Sequence, residues 1–258
     1  MPTRATEART LGDGPSAALL LHGFTGSPFE LLPLAEELAR HGHRVHLPLL
    51  AGHGEDVQAL GATGSADWQR SASDALDGLL AEGHERVRLV GLSLGGLLSI
   101  LLAARSPERI EALVLLAPAL DFHGASRFYR DFFRLPFVAG LIPVVSKGGS
   151  NLSDAEMLAK KPPFPRAPTS CAAEIHALQQ EARRALPRIR APTLVVWGAH
   201  DRVVPRRAAE YAAARVGSGP AKLVVFAHSA HQLALDVERE RVAREIERFF
   251  ARVTRGGS

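Results

Sequence analysis

The chain has 258 residues, of which 46% are hydrophobic and 22% charged, as is typical of a globular protein with a buried core. Its net charge of +4 comes mainly from arginines that are scattered among acidic residues, as in Glu238–Arg241. No basic block with interleaved aromatics is present, so a nucleic-acid partner is not expected. Cys171 is the only cysteine, which excludes an intrachain disulfide.

Targeting and membrane signals are missing from the sequence. Residues Met1 to Gly14 are polar and lack the apolar centre of a secretory signal. No apolar stretch approaches the roughly 20 residues that a membrane-spanning helix needs. We therefore expect a soluble, cytoplasmic protein without a membrane span, and the sequence leaves its oligomeric state open.

Two periodicities alternate along the chain. Short apolar runs predict a short leading strand at Thr10–Leu11 and then six strands: Ala18–His22, Arg44–Pro48, Val87–Leu92, Ala112–Ala117, Thr193–Gly198 and Lys222–Phe226. Helical spacing predicts five helices between and after them: Phe29–His41, Ala66–Leu80, Leu94–Arg105, Arg206–Val216 and Glu238–Arg252. This alternation predicts an α/β fold with a mainly parallel sheet flanked by helices.

One segment interrupts the alternation after the fourth of these six strands. Residues 121–186 contain no clean strand–helix unit, and six of the eleven phenylalanines fall between Phe122 and Phe164. The position and composition predict a cap (lid) insertion over the strand ends, with residues 1–120 and 187–258 forming the core domain. We expect most of these aromatics to form the small core of the cap, and two or three to face a ligand.

A candidate nucleophile lies between a predicted strand and a predicted helix. The pentapeptide Gly91-Leu92-Ser93-Leu94-Gly95 fits a sharp strand-turn-helix connection that holds its serine in a strained, exposed conformation. Such a turn leaves little room for side chains two positions away on either side. Gly91 and Gly95 therefore have a steric reason to be glycine.

A serine nucleophile needs a base, and two histidines follow the last predicted strand. His231 lies in the loop before the closing helix, and His228 lies three residues nearer the strand. Both are candidates at this point, because ligands of open α/β sheets bind beyond the carboxyl ends of strands.

The acid that orients the base should also follow a strand. Asp201 comes just after the predicted strand Thr193–Gly198, and Asp121 follows the strand before it and is the alternative. With Asp201, the chain order is Ser93, Asp201 and then His231, which differs from the orders in chymotrypsin and subtilisin.

Backbone amides are expected to stabilise the oxyanion. One comes from Leu94, the residue after the serine, and we assign the second to Phe24 in the loop after an early strand. His53, between Gly52 and Gly54, is expected to be structural rather than catalytic. Neither a metal-binding constellation nor a nucleotide-binding motif is present, so no cofactor is expected.

With these residues in place, the sequence resembles the α/β-hydrolase superfamily along nearly its whole length, and especially small bacterial carboxylesterases and monoacylglycerol lipases. The similar motifs follow in order: His22 to Pro28, Gly52 to Gly54, Gly91 to Gly96, His200 to Pro205, and Ser229 to His231 with Asp236 beyond. The resemblance implies a triad of Ser93, Asp201 and His231, which favours His231 over His228, with oxyanion amides at Phe24 and Leu94.

These expectations describe a cofactor-independent serine esterase. The phenylalanine-rich insertion, Phe24 and Leu94 favour short- to medium-chain carboxylic esters, including monoacylglycerols, as small-molecule substrates. An amidase or a C–C hydrolase on the same scaffold is an alternative, because a triad does not choose the leaving group. A non-catalytic ligand receptor that retains the pocket is a third.

Overall fold

The computed structural model describes residues 6–147 and 149–256. The prediction about Met1 to Gly14 therefore falls partly on residues 1–5, which lie outside the described residues. None of the helices within the described ranges is both long enough and apolar enough to cross a membrane.

Seven strands of the described chain form one sheet. They are β1 (Arg9–Leu11), β2 (Ser16–Leu21), β3 (His43–Leu47), β4 (Val87–Leu92), β5 (Ile110–Leu116), β8 (Thr193–Gly198) and β9 (Lys222–Phe226), with β6 (Val144–Ser146) and β7 (Arg166–Pro168) in a separate two-stranded sheet. The spatial order is β1-β3-β2-β4-β5-β8-β9, and only β1 runs antiparallel to its neighbour. The predicted parallel sheet is confirmed, and each of its six main strands lies within two residues of its predicted bounds.

Ten α-helices surround the sheets in the described chain. They are α1 (Leu32–Arg40), α2 (Val57–Gly61), α3 (Ser65–Ala81), α4 (Leu94–Arg105), α5 (Gly124–Phe133), α6 (Pro136–Leu141), α7 (Ala155–Lys160), α8 (Cys171–Ala185), α9 (Arg206–Arg215) and α10 (Arg239–Gly256). Helix α1 packs against α10, and α4 packs against α3 and α8. The short α2 was not predicted, and its N-terminus is capped by the Asp56 carboxylate, which accepts from the amides of Gln58 and Ala59.

The centre of the core is formed by the inner strands and by α4. Ten of the twelve residues of α4, from Leu94 to Ala103, are buried. A helix that is apolar on all sides needs neighbours on all sides, and here the sheet, α3 and α8 supply them. The residue that precedes α4, Ser93, is thereby fixed on a rigid element.

The segment between β5 and β8, which we call the insert (residues 121–186), contains α5 to α8 and the small sheet β6–β7. Its last helix differs from the rest because α8 packs against α4, and Cys171, Ile175 and Leu178 belong to the main core. The remainder of the insert lies near the carboxyl edge of the sheet. There, Asn151 Oδ1 accepts the Arg202 amide at 2.7 Å.

The aromatic residues of the insert are arranged differently from the expectation. Phe128 and Phe137 are 63% and 78% exposed, so they do not form an internal core of the insert. The reason is the helical period of α5. Phe128 and Phe132 stack on its outer side with ring centroids 5.2 Å apart, whereas Tyr129 and Phe133 face inward.

At the amino edge of the sheet, a buried arginine joins three elements. Arg88 of β4 makes two hydrogen bonds of 2.9 Å to the Glu111 carboxylate on β5 and one of 2.7 Å to Thr254 of α10. Its guanidinium also lies 5.1 Å from the ring centroid of Phe250. This charged cluster is at the opposite edge from the loops that carry the candidate functional residues.

Candidate active site

The candidate nucleophile has an unusual backbone conformation. Ser93 connects β4 to α4 with φ 54° and ψ −109°, a combination that side-chain-bearing residues rarely adopt. A Cβ atom on Gly91 would lie 2.3 Å from the carbonyl oxygen of Gly95, and one on Gly95 would lie 2.0 Å from that of Leu21. Both glycines are therefore required by close backbone packing around the serine turn.

Two of the predicted side chains are directly joined. Asp201, after β8, has Oδ2 at 2.8 Å from Nδ1 of His231, after β9. The other carboxylate oxygen of Asp201 accepts the amides of Val203 at 2.7 Å and Val204 at 2.9 Å. Asp201 is thus held by its own loop, and it fixes the imidazole with Nδ1 as the donor.

Ser93 and His231 follow parallel strands and lie at the same sheet edge. They are only 7% and 9% exposed. The loop of His231 packs closely on the end of β8, since a Cβ on Gly198 would lie 2.4 Å from the carbonyl oxygen of Ala230. Among the described residues, the Ser93 hydroxyl makes no hydrogen bond, so the structure joins His231 to Asp201 but not to Ser93.

The loop after β2 brings backbone donors to the serine. A Cβ on Gly23 would lie 3.5 Å from that of Ser93, which places this loop against the nucleophile turn. Within the described chain, the amides of Phe24 and Leu94 donate to no protein acceptor. His22 supports the loop, because its Nδ1 donates to the Gly23 carbonyl at 2.9 Å and its Nε2 accepts the Leu50 amide at 3.1 Å.

The alternative base and acid have other surroundings. His228 is exposed, and its backbone amide donates to Glu238 at 2.8 Å. The Asp121 carboxylate makes ion pairs with Arg130 at 3.2 Å and Arg207 at 2.7 Å, and burial works against the resulting lowering of its pKa. The described structure pairs neither of them with a partner for proton transfer.

His53 packs behind the loop after β2. Its ring lies 5.0 Å from that of His22 and 6.1 Å from that of Phe24, measured between centroids, and its Nδ1 donates to the Ala51 carbonyl at 3.1 Å. Burial, reinforced by the nearby His22, lowers the pKa of His53 to about 3. His53 is therefore neutral near pH 7 and acts as a packing group.

Sequence reasoning missed two buried carboxylates next to these loops. Glu30 accepts the Gly23 amide at 3.1 Å. Asp236 was noted only as part of a motif, yet it accepts the Ala230 amide through Oδ2 at 2.6 Å and the amides of Ser153 and Asp154 through Oδ1. The available signal was an acidic residue inside an apolar stretch directly after a functional loop, because such a residue needs buried partners.

Between the insert and α2 lies a partly open, mostly apolar cavity of about 470 Å³. Its lining includes Val57, Phe133, Pro143 and Val144. The volume is within the usual range of small-molecule sites. The lining includes neither Ser93 nor His231.

The sheet order, the serine turn after a central strand and the acid–histidine pair after later strands together define an α/β-hydrolase. This class is confirmed by a solved structure reported for LipS and LipT, two metagenome-derived lipolytic enzymes, which matches 98% of this chain and 100% of its own with a TM-score of 0.89 and 25% identity. The monoacylglycerol lipase of Paleococcus ferrophilus shares the fold, with a TM-score of 0.77 and 18% identity over 95% of this chain and 98% of its own.

The chain belongs to the hydrolase family described as serine aminopeptidase, S33, which matches residues 15–238. It is 30% identical to a thermostable monoacylglycerol lipase of Bacillus sp. (strain H-257), over 93% of this chain and 92% of the relative. It is 27% identical to a carboxylesterase of Bacillus subtilis (strain 168), over 95% and 96% respectively. The predicted resemblance is confirmed, and the comparisons support an enzyme that hydrolyses carboxylic esters.

Proposed function

We propose that the protein is a cofactor-independent serine esterase in which Ser93, His231 and Asp201 form the catalytic triad. The observation that carries this proposal is the 2.8 Å hydrogen bond between Asp201 and His231 at the sheet edge where Ser93 is held at φ 54°. In acyl transfer, a serine on such a turn serves as the nucleophile, and an imidazole oriented by a carboxylate serves as its base.

In the proposed reaction, Ser93 Oγ attacks the ester carbonyl while His231 Nε2 accepts its proton. Asp201 keeps the other imidazole nitrogen protonated and stabilises the imidazolium that forms. The amides of Phe24 and Leu94 donate to the oxyanion of the tetrahedral intermediate. The alcohol leaves with the proton from His231, and a water molecule activated by the same base then hydrolyses the acyl-enzyme to the free acid.

For substrate, we propose short- to medium-chain carboxylic esters, with monoacylglycerols among them. The support for this substrate class is that relatives over most of the chain are named as a monoacylglycerol lipase and a carboxylesterase. We further propose that the insert acts as the cap of this site, since it contacts the loops that carry Asp201 and His231. Cytoplasmic location is part of the proposal, and fractionation of expressing cells tests it.

The triad is tested with purified variants and p-nitrophenyl butyrate. Ser93→Ala and His231→Ala should each lower kcat by on the order of 10⁶, and Asp201→Asn by roughly 10⁴. Asp121→Asn is the matched control, because the arginines around Asp121 belong to a different cluster. Wild-type turnover in Asp201→Asn with loss of turnover in Asp121→Asn would assign the acid to Asp121 instead.

The leaving group is tested with a rate panel of p-nitrophenyl esters from acetate to palmitate, monoacylglycerols and amino-acyl anilides. The anilides are included because the family description names an aminopeptidase. We expect kcat/KM to be highest for esters. A higher kcat/KM for anilides would show that the protein is an amidase and not an esterase. Absence of both turnover and fluorophosphonate labelling of Ser93 would indicate a non-catalytic ligand receptor.

A further inference from the structure

The loop after β2 is wrapped around a buried carboxylate. Glu30 lies in a short 3-10 helix, Pro28–Leu31, and is 3% exposed. Its Oε2 accepts the Gly23 amide at 3.1 Å. A Cβ on Gly26 would lie 2.1 Å from the same oxygen, so a side chain at that position would displace the carboxylate from its present place.

The second carboxylate oxygen of Glu30 reaches two other segments. Oε1 accepts from Gln232 Nε2 at 3.0 Å, and Gln232 is the residue directly after His231. Lys161, which follows α7 in the insert, places Nζ 2.8 Å from the same oxygen. One carboxylate therefore joins the loop of Phe24, the loop of His231 and the insert.

The charge of Glu30 is maintained by its partner. Burial acts to raise its pKa, but the charge and the hydrogen bond of Lys161 outweigh this effect and lower the pKa to about 2. The side chains of Lys161 and Glu30 are only 9% and 4% exposed, so solvent screens their attraction weakly. A second lysine of the insert, Lys147, hydrogen-bonds the Thr25 hydroxyl on the same loop.

We propose that Glu30 is a positioning residue for ester hydrolysis, and that its ion pair with Lys161 couples the seating of the insert to the geometry of the oxyanion amides. The proposal rests on the proposed function, since it takes Phe24 and Leu94 as the oxyanion donors. Glu30 touches no reacting atom. It acts by fixing Gly23, the neighbour of Phe24, and Gln232, the neighbour of His231.

Such positioning affects the transition state more than the ground state. Removal of a whole oxyanion donor lowers kcat by about 10²–10³, and displacement of a donor that is still present should cost less. We therefore expect Glu30→Gln to lower kcat by about ten- to a hundredfold with little change in KM. Labelling of Ser93 by a fluorophosphonate should slow in parallel, because the phosphonyl oxygen uses the same amides.

The ion pair is tested by Lys161→Met. Its matched control is Lys160→Met, because Lys160 is exposed and its partner is Glu156 on its own helix. We expect Lys161→Met to lower kcat on p-nitrophenyl butyrate by about tenfold or more, and Lys160→Met to keep wild-type turnover. Equal turnover in the two variants would overturn the coupling between insert and loop.

A single variant leaves one buried charge without its partner and could lose activity through unfolding. The double variant Glu30→Gln, Lys161→Met removes both charges, and we expect its melting temperature to exceed that of Glu30→Gln while kcat stays low. If the double variant recovers kcat together with its melting temperature, Glu30 has only a structural role. A failure of the proposed function would be distinguishable from this outcome, because it would appear as turnover that persists in the folded Ser93→Ala variant.

Discussion

The strained backbone of Ser93 predicts that removal of its side chain stabilises the fold. At φ 54° and ψ −109°, a residue with a Cβ costs about 1–3 kcal/mol relative to a relaxed conformation. Glycine relieves this strain but gives the unfolded chain more freedom, at a cost of about 0.5–1 kcal/mol. Ser93→Gly should therefore exceed Ser93→Ala, which keeps the Cβ, by about 1 kcal/mol in free energy of unfolding.

The assay is thermal and urea unfolding of both variants, neither of which needs catalytic activity. For a protein of this size, about 1 kcal/mol corresponds to roughly 2–4 °C in melting temperature. Ser99 supplies the control because it lies inside α4, where the backbone is helical. There the order should reverse, with Ser99→Gly less stable than Ser99→Ala by about 1 kcal/mol.

The two serines thus give opposite predictions for the same pair of substitutions. If Ser93→Gly is no more stable than Ser93→Ala while the Ser99 pair behaves as expected, the backbone at position 93 stores no strain. The steric argument for the serine turn would then be wrong.

Three further predictions concern residues outside the serine turn. Because burial lowers the pKa of His53 to about 3, this histidine takes up a proton at higher pH in the unfolded chain than in the folded protein, and the free energy of unfolding falls as the pH drops from about 6.5 towards 3. Between pH 7 and pH 5, urea unfolding should show a loss of stability that is about 2 kcal/mol smaller in His53→Gln than in the wild type. In urea unfolding, Arg88→Met should destabilise the protein by about 3 kcal/mol, because Glu111 loses its buried partner. Arg109→Met removes an exposed ion pair with Asp77 and should cost less than about 1 kcal/mol, and equal costs would contradict the role of burial. Cys171 is fully buried and burial raises the pKa of its thiol to about 12, so Ellman's reagent should react with it only in denaturing urea, and rapid reaction of the native protein would show that α8 opens.

The fold was largely predictable from the sequence because its signals are local. Apolar runs such as Leu194–Trp197 are buried on both faces in a parallel sheet, and a strand of that kind is apolar through its centre. The serine turn was predictable for the same reason, since Gly91, Ser93 and Gly95 are neighbours in sequence. The pairing of Asp201 with His231 needed one more step, namely that parallel strands end at the same edge.

The surroundings of Glu30 were not predictable in this way. Lys161 and Gln232 lie 131 and 202 residues away in sequence, and neither has a motif that marks it as a partner of a buried carboxylate. The aromatic residues of α5 failed for a different reason. Composition alone does not reveal which side of a helix faces solvent when phenylalanine or tyrosine occupies both sides, as Phe128 and Tyr129 do.

The packing of α8 matters for the design of chimaeras in this family. A graft that exchanges residues 121–186 as one unit would also replace Cys171, Ile175 and Leu178, which pack in the main core, and any mismatch in side-chain volume against α4 would destabilise the fold. A junction near Ser170 keeps that helix with its host and transfers only the outer helices and the small sheet. The core of the host protein then stays intact while the outer part of the insert is exchanged.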